Sequence, residues 1–245
     1  MGIDKMDRRA FLKLGGAVAA GSMIAPVQML LAAEGEDVEL GAKEATRWAM
    51  VADVDKCKNC DSRACEEICR VENNVPYYGD PTQDAYWLRI AKVQHELPGV
   101  EAKQVPLLCQ HCEDPPCVHV CPVAASFKRA DGIVLVDMHR CIGCRYCMIA
   151  CPYKARSFIV KKNEVRTNSS VPKMMDGVAT KCTFCVHRVD KGQLPACVEK
   201  CPEKALQFGD MNDPESDVAK SIASGKTTRL RSNLKTGPKV FYIGL

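Results

Sequence analysis

The sequence is constrained most strongly by its cysteines, which number 16 in 245 residues and fall into four groups of four. The clearest group is Cys141, Cys144, Cys147 and Cys151, which are separated by two, two and three residues and followed by Pro152. This spacing is typical of iron–sulfur binding, in which three thiolates hold one cluster and the fourth holds a neighbouring cluster. One such group therefore predicts a second.

The remaining cysteines repeat this pattern with wider gaps. The groups that begin at Cys57 and Cys109 have four residues in the second gap, and the group that begins at Cys182 has eleven there. Their members are Cys57, Cys60, Cys65 and Cys69; Cys109, Cys112, Cys117 and Cys121; and Cys182, Cys185, Cys197 and Cys201. Since the four groups use every cysteine, no thiol is left for a nucleophile, and we predict no catalytic residue in the chain.

The N-terminus predicts export. Residues 7–13 read DRRAFLK, and a weakly apolar run from Leu14 to Ala33 follows. This pattern resembles a twin-arginine signal, so residues 1–33 are interpreted as the signal segment and residues 34–47 as a linker. An amphipathic helix and a single membrane anchor are the alternatives, because the run is nearly long enough to span a bilayer. Cleavage and retention as a tether both stay open.

Two other uses of the cysteines compete with iron–sulfur binding. Disulfides are common in exported proteins with an even cysteine count. The twin-arginine route, as the resemblance implies, carries proteins already folded around cofactors, which argues against them. Zinc ribbons also use Cys-x-x-Cys pairs, but they need two pairs per ion rather than a three-plus-one run. We therefore predict four [4Fe–4S] clusters.

Short strands are predicted around the cysteine groups. Residues 48–54 and 133–136 each lead into a group, with Asp53 and Asp137 standing four residues before its first cysteine. Asp131-Gly132 predicts a hairpin turn between two strands. Further strands are predicted at residues 86–93, 156–160, 205–208 and 240–245.

This alternation of cysteine helices and strands predicts an α+β fold made of two interleaved ferredoxin-like modules with loop insertions. Residues 48–210 are assigned to the four-cluster domain and residues 211–245 to a polar C-terminal tail that ends in a strand-like stretch. An insertion from Pro76 to Val105 is long enough to cover a cofactor or contact another subunit. Within it, Trp87 is predicted to be a core residue.

Three stretches carry a resemblance to a known family. They are Cys109-Gln110-His111-Cys112 with Pro115-Pro116-Cys117, the run from Cys141 to Tyr153, and Lys181-Cys182-Thr183-Phe184-Cys185 with Pro195-Ala196-Cys197. Together with the order of the 16 cysteines, they resemble the electron-transfer subunits of the dimethyl sulfoxide reductase superfamily. The resemblance covers roughly Trp48 to Phe208.

The resemblance implies how the groups combine: the first pairs with the last to form one module, and the two middle groups pair to form the other. The implied ligand sets are Cys57, Cys60, Cys65 and Cys201; Cys69, Cys182, Cys185 and Cys197; Cys109, Cys112, Cys117 and Cys151; and Cys121, Cys141, Cys144 and Cys147. Some relatives replace the residue at the Cys144 position and carry a three-iron cluster. Because Cys144 is present here, a four-iron cluster is expected.

Other polar residues near the cysteines are expected to support the clusters rather than bind them. Every ligand position is filled without histidine, so no ligand role is predicted for His111, His119, His139 and His187. Net charge and hydrogen bonds to sulfur set the potentials of such clusters. On that ground, potential-tuning charges are predicted at Lys181, Arg188 and Arg145.

The predicted function is an electron relay that needs no substrate site. The resemblance implies a molybdopterin-type catalytic partner, an integral membrane subunit that handles quinone and, in some complexes, a multihaem cytochrome c. The expected location is the periplasmic side of the membrane, held through these partners. A net charge of +4 without a basic cluster gives no indication of a nucleic-acid partner.

Among complexes of this family, the menaquinone reductase complex is the expected setting, with tetrathionate, polysulfide and nitrite reductase systems as alternatives. The rival function is a self-contained reductase whose substrate binds one cluster. That reductase would need an iron without a protein ligand and a pocket with acid–base residues. The complete set of 16 cysteines argues against it.

Overall fold

The computed structural model describes residues 46–58, 60–94 and 101–245. The predicted signal segment and nearly all of the predicted linker lie outside these ranges. The strands are β1 Trp48–Asp53, β2 Leu88–Val93, β3 Lys103–Leu108, β4 Ser126–Lys128, β5 Val134–Val136, β6 Ser157–Phe158, β7 Ala179–Thr180, β8 Leu206–Asp210, β9 Thr227–Thr228 and β10 Val240–Ile243. The helices are α1 Val54–Cys57, α2 Ala64–Glu72, α3 Pro116–His119, α4 Tyr146–Ile149, α5 Val186–Val189, α6 Ala196–Glu199 and α7 Asp217–Ala223.

The largest sheet has the order β8-β1-β10-β9. β1 pairs parallel with β10 and antiparallel with β8. Successive side chains of a strand point to opposite faces, and both faces of β1 are covered: Met50 packs in the larger core, whereas Val51 packs with Val218 of α7. Burial on both faces explains why the strand reads as an unbroken apolar run.

The predicted C-terminal tail is part of this sheet. β10 lies between β1 and β9, and its residues Val240, Phe241 and Tyr242 are buried. α7 covers one face and begins at Ser216, whose hydroxyl oxygen accepts a hydrogen bond from the Ala219 N–H at 3.0 Å. The short apolar end of the chain is therefore a core strand, and residues 211–245 do not form a separate tail.

The predicted hairpin at Asp131-Gly132 is confirmed, since β4 and β5 pair antiparallel on either side of it. The buried Asp131 carboxylate accepts hydrogen bonds from the Ile133 N–H at 3.1 Å and from Arg129 at 2.8 Å. Two further hairpin-like pairs are β2 with β3 and β6 with β7. Small sheets and short helices together give the mixed α+β architecture that the sequence predicts.

The described part of the insertion between the first two cysteine groups packs onto the core. Trp87 is buried as predicted, and its indole Nε1 donates a hydrogen bond to Thr180 Oγ1 at 2.9 Å. The Ile90 N–H donates to the Glu66 carboxylate at 2.5 Å, which joins β2 to α2. No helix in the described ranges is long and apolar enough to cross a bilayer.

Candidate iron–sulfur sites

The cysteine groups are held by short helices that begin with unusual backbone turns. Arg63, Arg145 and Cys185 stand immediately before α2, α4 and α5, and each has a left-handed backbone with φ between 46° and 63°. Left-handed conformations are uncommon for residues other than glycine and often mark functional sites. At Arg63 and Arg145 they turn the chain from a cysteine-bearing loop into the helix that carries the next cysteine of the group. After Cys185 the next cysteine is Cys197, which lies one helix further on, in α6.

The first site joins the two ends of the cysteine series. Cys57, Cys60, Cys65 and Cys201 line one cavity. Burial, together with the neighbouring Cys201 and Cys60, raises the pKa of the Cys57 thiol to about 11. Burial and Cys201 raise the pKa of Cys65 to about 12. These thiols therefore ionise only when a cation such as iron takes the place of the proton.

The second site is the most deeply buried. Burial raises the pKa of Cys69 well above its usual value, and the nearby Cys182, Cys197 and Cys185 act in the same direction. The Asn73 amide nitrogen lies 3.5 Å from the Cys185 sulfur and 3.9 Å from the Cys69 sulfur. Such donors stabilise the negative charge that a thiolate carries when it binds metal.

The third and fourth sites lie in two separate cavities. The third is lined by Cys109, Cys112, Cys117 and Cys151, and the fourth by Cys121, Cys141, Cys144 and Cys147. Burial and Cys109 raise the pKa of Cys112 to about 12. Burial acts in the same direction on Cys121, but backbone N–H donors, led by Ser126, outweigh it and lower the pKa.

The four sites follow one another through the protein. The first site lies next to the second. The Cys65 sulfur is close enough to contribute to the raised pKa of Cys197, after burial and the cysteines of the second site itself. The second site lies next to the third, since Cys109 of the third site is close enough to contribute to the raised pKa of Cys182. The third and fourth share one lining residue, Arg156. This succession is what a chain of one-electron carriers requires.

The donor set suits cubane clusters. None of the 16 cysteines, all of which lie in the described part of the protein, is in a disulfide. Within the described ranges, no three His, Cys, Asp or Glu side chains stand close enough to share a single metal ion. In a [4Fe–4S] cluster, by contrast, each of four thiolates binds a different iron.

The three cations predicted to tune the clusters have different surroundings. Lys181 is buried beside the second site, where its ammonium donates to the Cys182 carbonyl oxygen at 2.7 Å. Arg188 is paired with Glu72 and Glu199, so its charge is largely offset. Arg145 lies over the Phe158 ring at 3.8 Å. Lys181 therefore has the surroundings that best suit the predicted role.

The histidines make contacts that do not require a metal. His111 is buried, stacks on Phe184 with a centroid distance of 3.7 Å, and accepts the Val134 N–H at Nδ1. His119 contacts Asp114 at 2.6 Å, and His187 contacts Glu72 at 2.7 Å. His139 is exposed.

Sequence reasoning missed Arg156 as a candidate functional residue. The sequence predicts it only as the first residue of a strand, whereas it is 6% exposed and lines both the third and the fourth site. No local signal separates it from the other basic residues, because its position follows from where two distant cysteine groups meet.

Comparison with known proteins agrees with the chemistry of these sites. Residues 100–211 match the family described as a 4Fe-4S dicluster domain. The chain is 46% identical to the Hdr-like menaquinol oxidoreductase iron-sulfur subunit 1 of Archaeoglobus fulgidus, with 98% of each protein covered. It is 39% identical to a tetrathionate reductase subunit of Salmonella typhimurium, over 98% of this chain and 88% of that one. It is 38% identical to a polysulfide reductase chain of Wolinella succinogenes, over 81% and 95%.

Proposed function

Because this protein belongs to the family of iron–sulfur electron-transfer subunits of respiratory oxidoreductases, we propose that it transfers electrons between a catalytic subunit and a quinone-reactive membrane subunit. The observation that best supports this proposal is the succession of four complete cysteine sets, each of which lies next to the following one. Bound [4Fe–4S] clusters supply one-electron redox chemistry at each position. The chain itself supplies the thiolates, the donors around them and the order of the sites.

The proposed ligand sets are those of the four sites. Cys57, Cys60, Cys65 and Cys201 hold the first cluster, and Cys69, Cys182, Cys185 and Cys197 hold the second. Cys109, Cys112, Cys117 and Cys151 hold the third, and Cys121, Cys141, Cys144 and Cys147 hold the fourth. The first two clusters belong to one module and the last two to the other. In support, each set is assembled from distant parts of the sequence.

The fourth site is proposed as the end that faces the membrane subunit. Cys144 is exposed, whereas the other 15 cysteines are buried or half-buried. Beside it, Ile142, Tyr146 and Ile149 expose apolar side chains, and Ile149 is 81% exposed. Clustered apolar exposure is typical of surfaces that bind another protein.

The catalytic partner is proposed to be a molybdopterin-type subunit, with a multihaem cytochrome c as the alternative. A menaquinone-linked complex is the favoured setting, because the Archaeoglobus fulgidus relative, which this chain matches over nearly its whole length, is named as part of a menaquinol oxidoreductase. Export through the twin-arginine segment would put the protein on the periplasmic side.

The test is to purify the tagged protein anaerobically from membranes of its native host. We expect a catalytic subunit and a membrane subunit to accompany it. In that complex, menaquinol and the terminal substrate should bring the clusters to opposite redox states, whereas the isolated chain should not turn over substrate. Turnover in the isolated, fully loaded chain would contradict the proposal and favour a self-contained reductase.

A further inference from the structure

Arg156 stands between two cofactor sites without a carboxylate to balance its charge. It lines the cavities of both the third and the fourth site and is 6% exposed. Its Nη2 donates to Ser126 Oγ at 2.5 Å. Its Nε and Nη1 are buried and have no hydrogen-bond partner in the described part of the protein.

Burying such a side chain costs free energy unless a group in the cavities accepts its hydrogen bonds and balances its charge. A buried cation without a partner loses hydration that nothing replaces. The groups that can carry negative charge and line the same two cavities as Arg156 are cysteine sulfurs, among them Cys109, Cys117 and Cys147. Two of these sulfurs, Cys117 and Cys147, belong to different sites.

A buried arginine elsewhere in the protein shows what a purely structural partner set looks like. Arg129 is equally buried, and its guanidinium contacts Asp131 at 2.8 Å and Asp190 at 2.8 Å. Those carboxylates balance its charge completely. Arg156 has a hydroxyl and the cysteine-lined cavities of two sites instead, which suits it to an anion bound in those cavities.

We propose that the Arg156 guanidinium donates N–H hydrogen bonds to the clusters of both the third and the fourth site and thereby sets their reduction potentials together. The inference rests on the ligand sets proposed above. Each cluster becomes more negative when it gains an electron, so a nearby cation stabilises the reduced form and raises the potential. Because one side chain faces both clusters, its removal should lower both potentials and leave the first cluster unchanged.

The experiment is a redox titration of the purified complex, followed by paramagnetic resonance, for the wild type and for Arg156→Gln, Arg156→Lys and Arg129→Gln. In Arg156→Gln we expect two of the four midpoints to fall, each by about tenfold in the reduction equilibrium, or about 59 mV for one electron. Arg156→Lys keeps the charge and should recover most of the shift. Arg129→Gln should leave all four midpoints in place.

Iron and sulfide analysis of the same samples separates this inference from the proposed ligand sets. Wild-type protein with fewer than four clusters would overturn the ligand sets themselves. With four clusters present, unchanged midpoints in Arg156→Gln, a shift of only one, or an equal shift of all four would overturn the role of Arg156. If Arg156→Gln loses clusters, Arg156→Lys decides: loss in this variant too would show a purely structural role, and four clusters with near-native midpoints would support the proposal.

Discussion

Cys65 and Cys69 lie one turn apart on α2, yet their sulfurs belong to two different sites. Cys65 lines the cavity that contains Cys57 and Cys201. Cys69 stands among Cys182, Cys185 and Cys197. Residues four apart share a helix face about 6 Å from one another. One short helix therefore holds cysteines of two neighbouring sites one turn apart, which gives a structural reason for the spacing of three residues between the last two cysteines of the first group.

The first prediction concerns metal content. Four complete sites should give about 16 iron and about 16 acid-labile sulfide per chain. Because each site is assembled from distant segments, cluster binding and folding should be coupled, and chelation of iron should unfold the protein. Anaerobic metal and sulfide analysis checks the stoichiometry. Stoichiometric zinc, or oxidised cysteine pairs in the purified protein, would contradict it.

The sequence alone revealed the four groups because ligand spacing is a local property: three thiolates around one cubane must be close along the chain. It did not reveal the position of Arg156 or the pairing of β10. Both depend on contacts between segments far apart, such as the pairing of Met50 with Val240. The apolar sequence from Val240 to Leu245 does not by itself distinguish a free segment from a strand that pairs with two neighbours.

The loop of the fourth site should not tolerate a methyl group at Gly143. This glycine has φ of +70°, and a Cβ there would collide with the backbone carbonyl oxygen of Gly177. We expect Gly143→Ala to lose the fourth cluster while keeping the first. Gly177→Ala is the matched control, since Gly177 has φ of +75° and nothing within 4 Å of an added Cβ. Paramagnetic resonance and iron content distinguish the two variants, and equal behaviour would show that the collision is unimportant.

The buried hydroxyl of Tyr242 should stabilise the junction between β10 and the third site. It accepts a hydrogen bond from the Gln110 amide at 3.2 Å and donates one to the Pro106 carbonyl oxygen at 3.0 Å. Tyr242→Phe removes the hydroxyl from the Pro106 carbonyl oxygen and from one of the two Gln110 amide N–H groups, whose nitrogen also donates to the Leu108 carbonyl oxygen. Leaving a buried polar group without its partner costs about 1–3 kcal/mol. The expected result is faster thermal loss of the visible cluster absorbance. Tyr77→Phe, at a side chain that is 55% exposed, should not change that rate.

Export should depend on the arginine pair rather than on its charge. Residues 1–33 carry Arg8 and Arg9, which a receptor reads in a twin-arginine signal. Lysine keeps the charge but not the planar guanidinium. We expect the double change Arg8→Lys, Arg9→Lys to leave the protein in the cytoplasm with its clusters assembled. Cell fractionation is the measurement, and continued export would indicate another route or a partner that carries the chain.

The last prediction distinguishes a relay from a self-contained reductase. Cys144→Ala removes one thiolate from the fourth site and leaves Cys121, Cys141 and Cys147 to hold the other irons. We expect loss of one iron and a three-iron cluster with a different potential and spin signature, while the other three centres keep theirs. Paramagnetic resonance of the purified complex measures both.

If the fourth site connects the relay to the membrane subunit, this variant should keep its activity with an artificial dye and lose most of its quinone-linked activity. The catalytic subunit then works normally, because the damage lies between it and the quinone. A self-contained reductase predicts instead that an iron with a newly open position changes the activity of this chain alone. Both rates are to be measured on one preparation. An equal fall of dye-linked and quinone-linked rates in a fully assembled complex would contradict the relay.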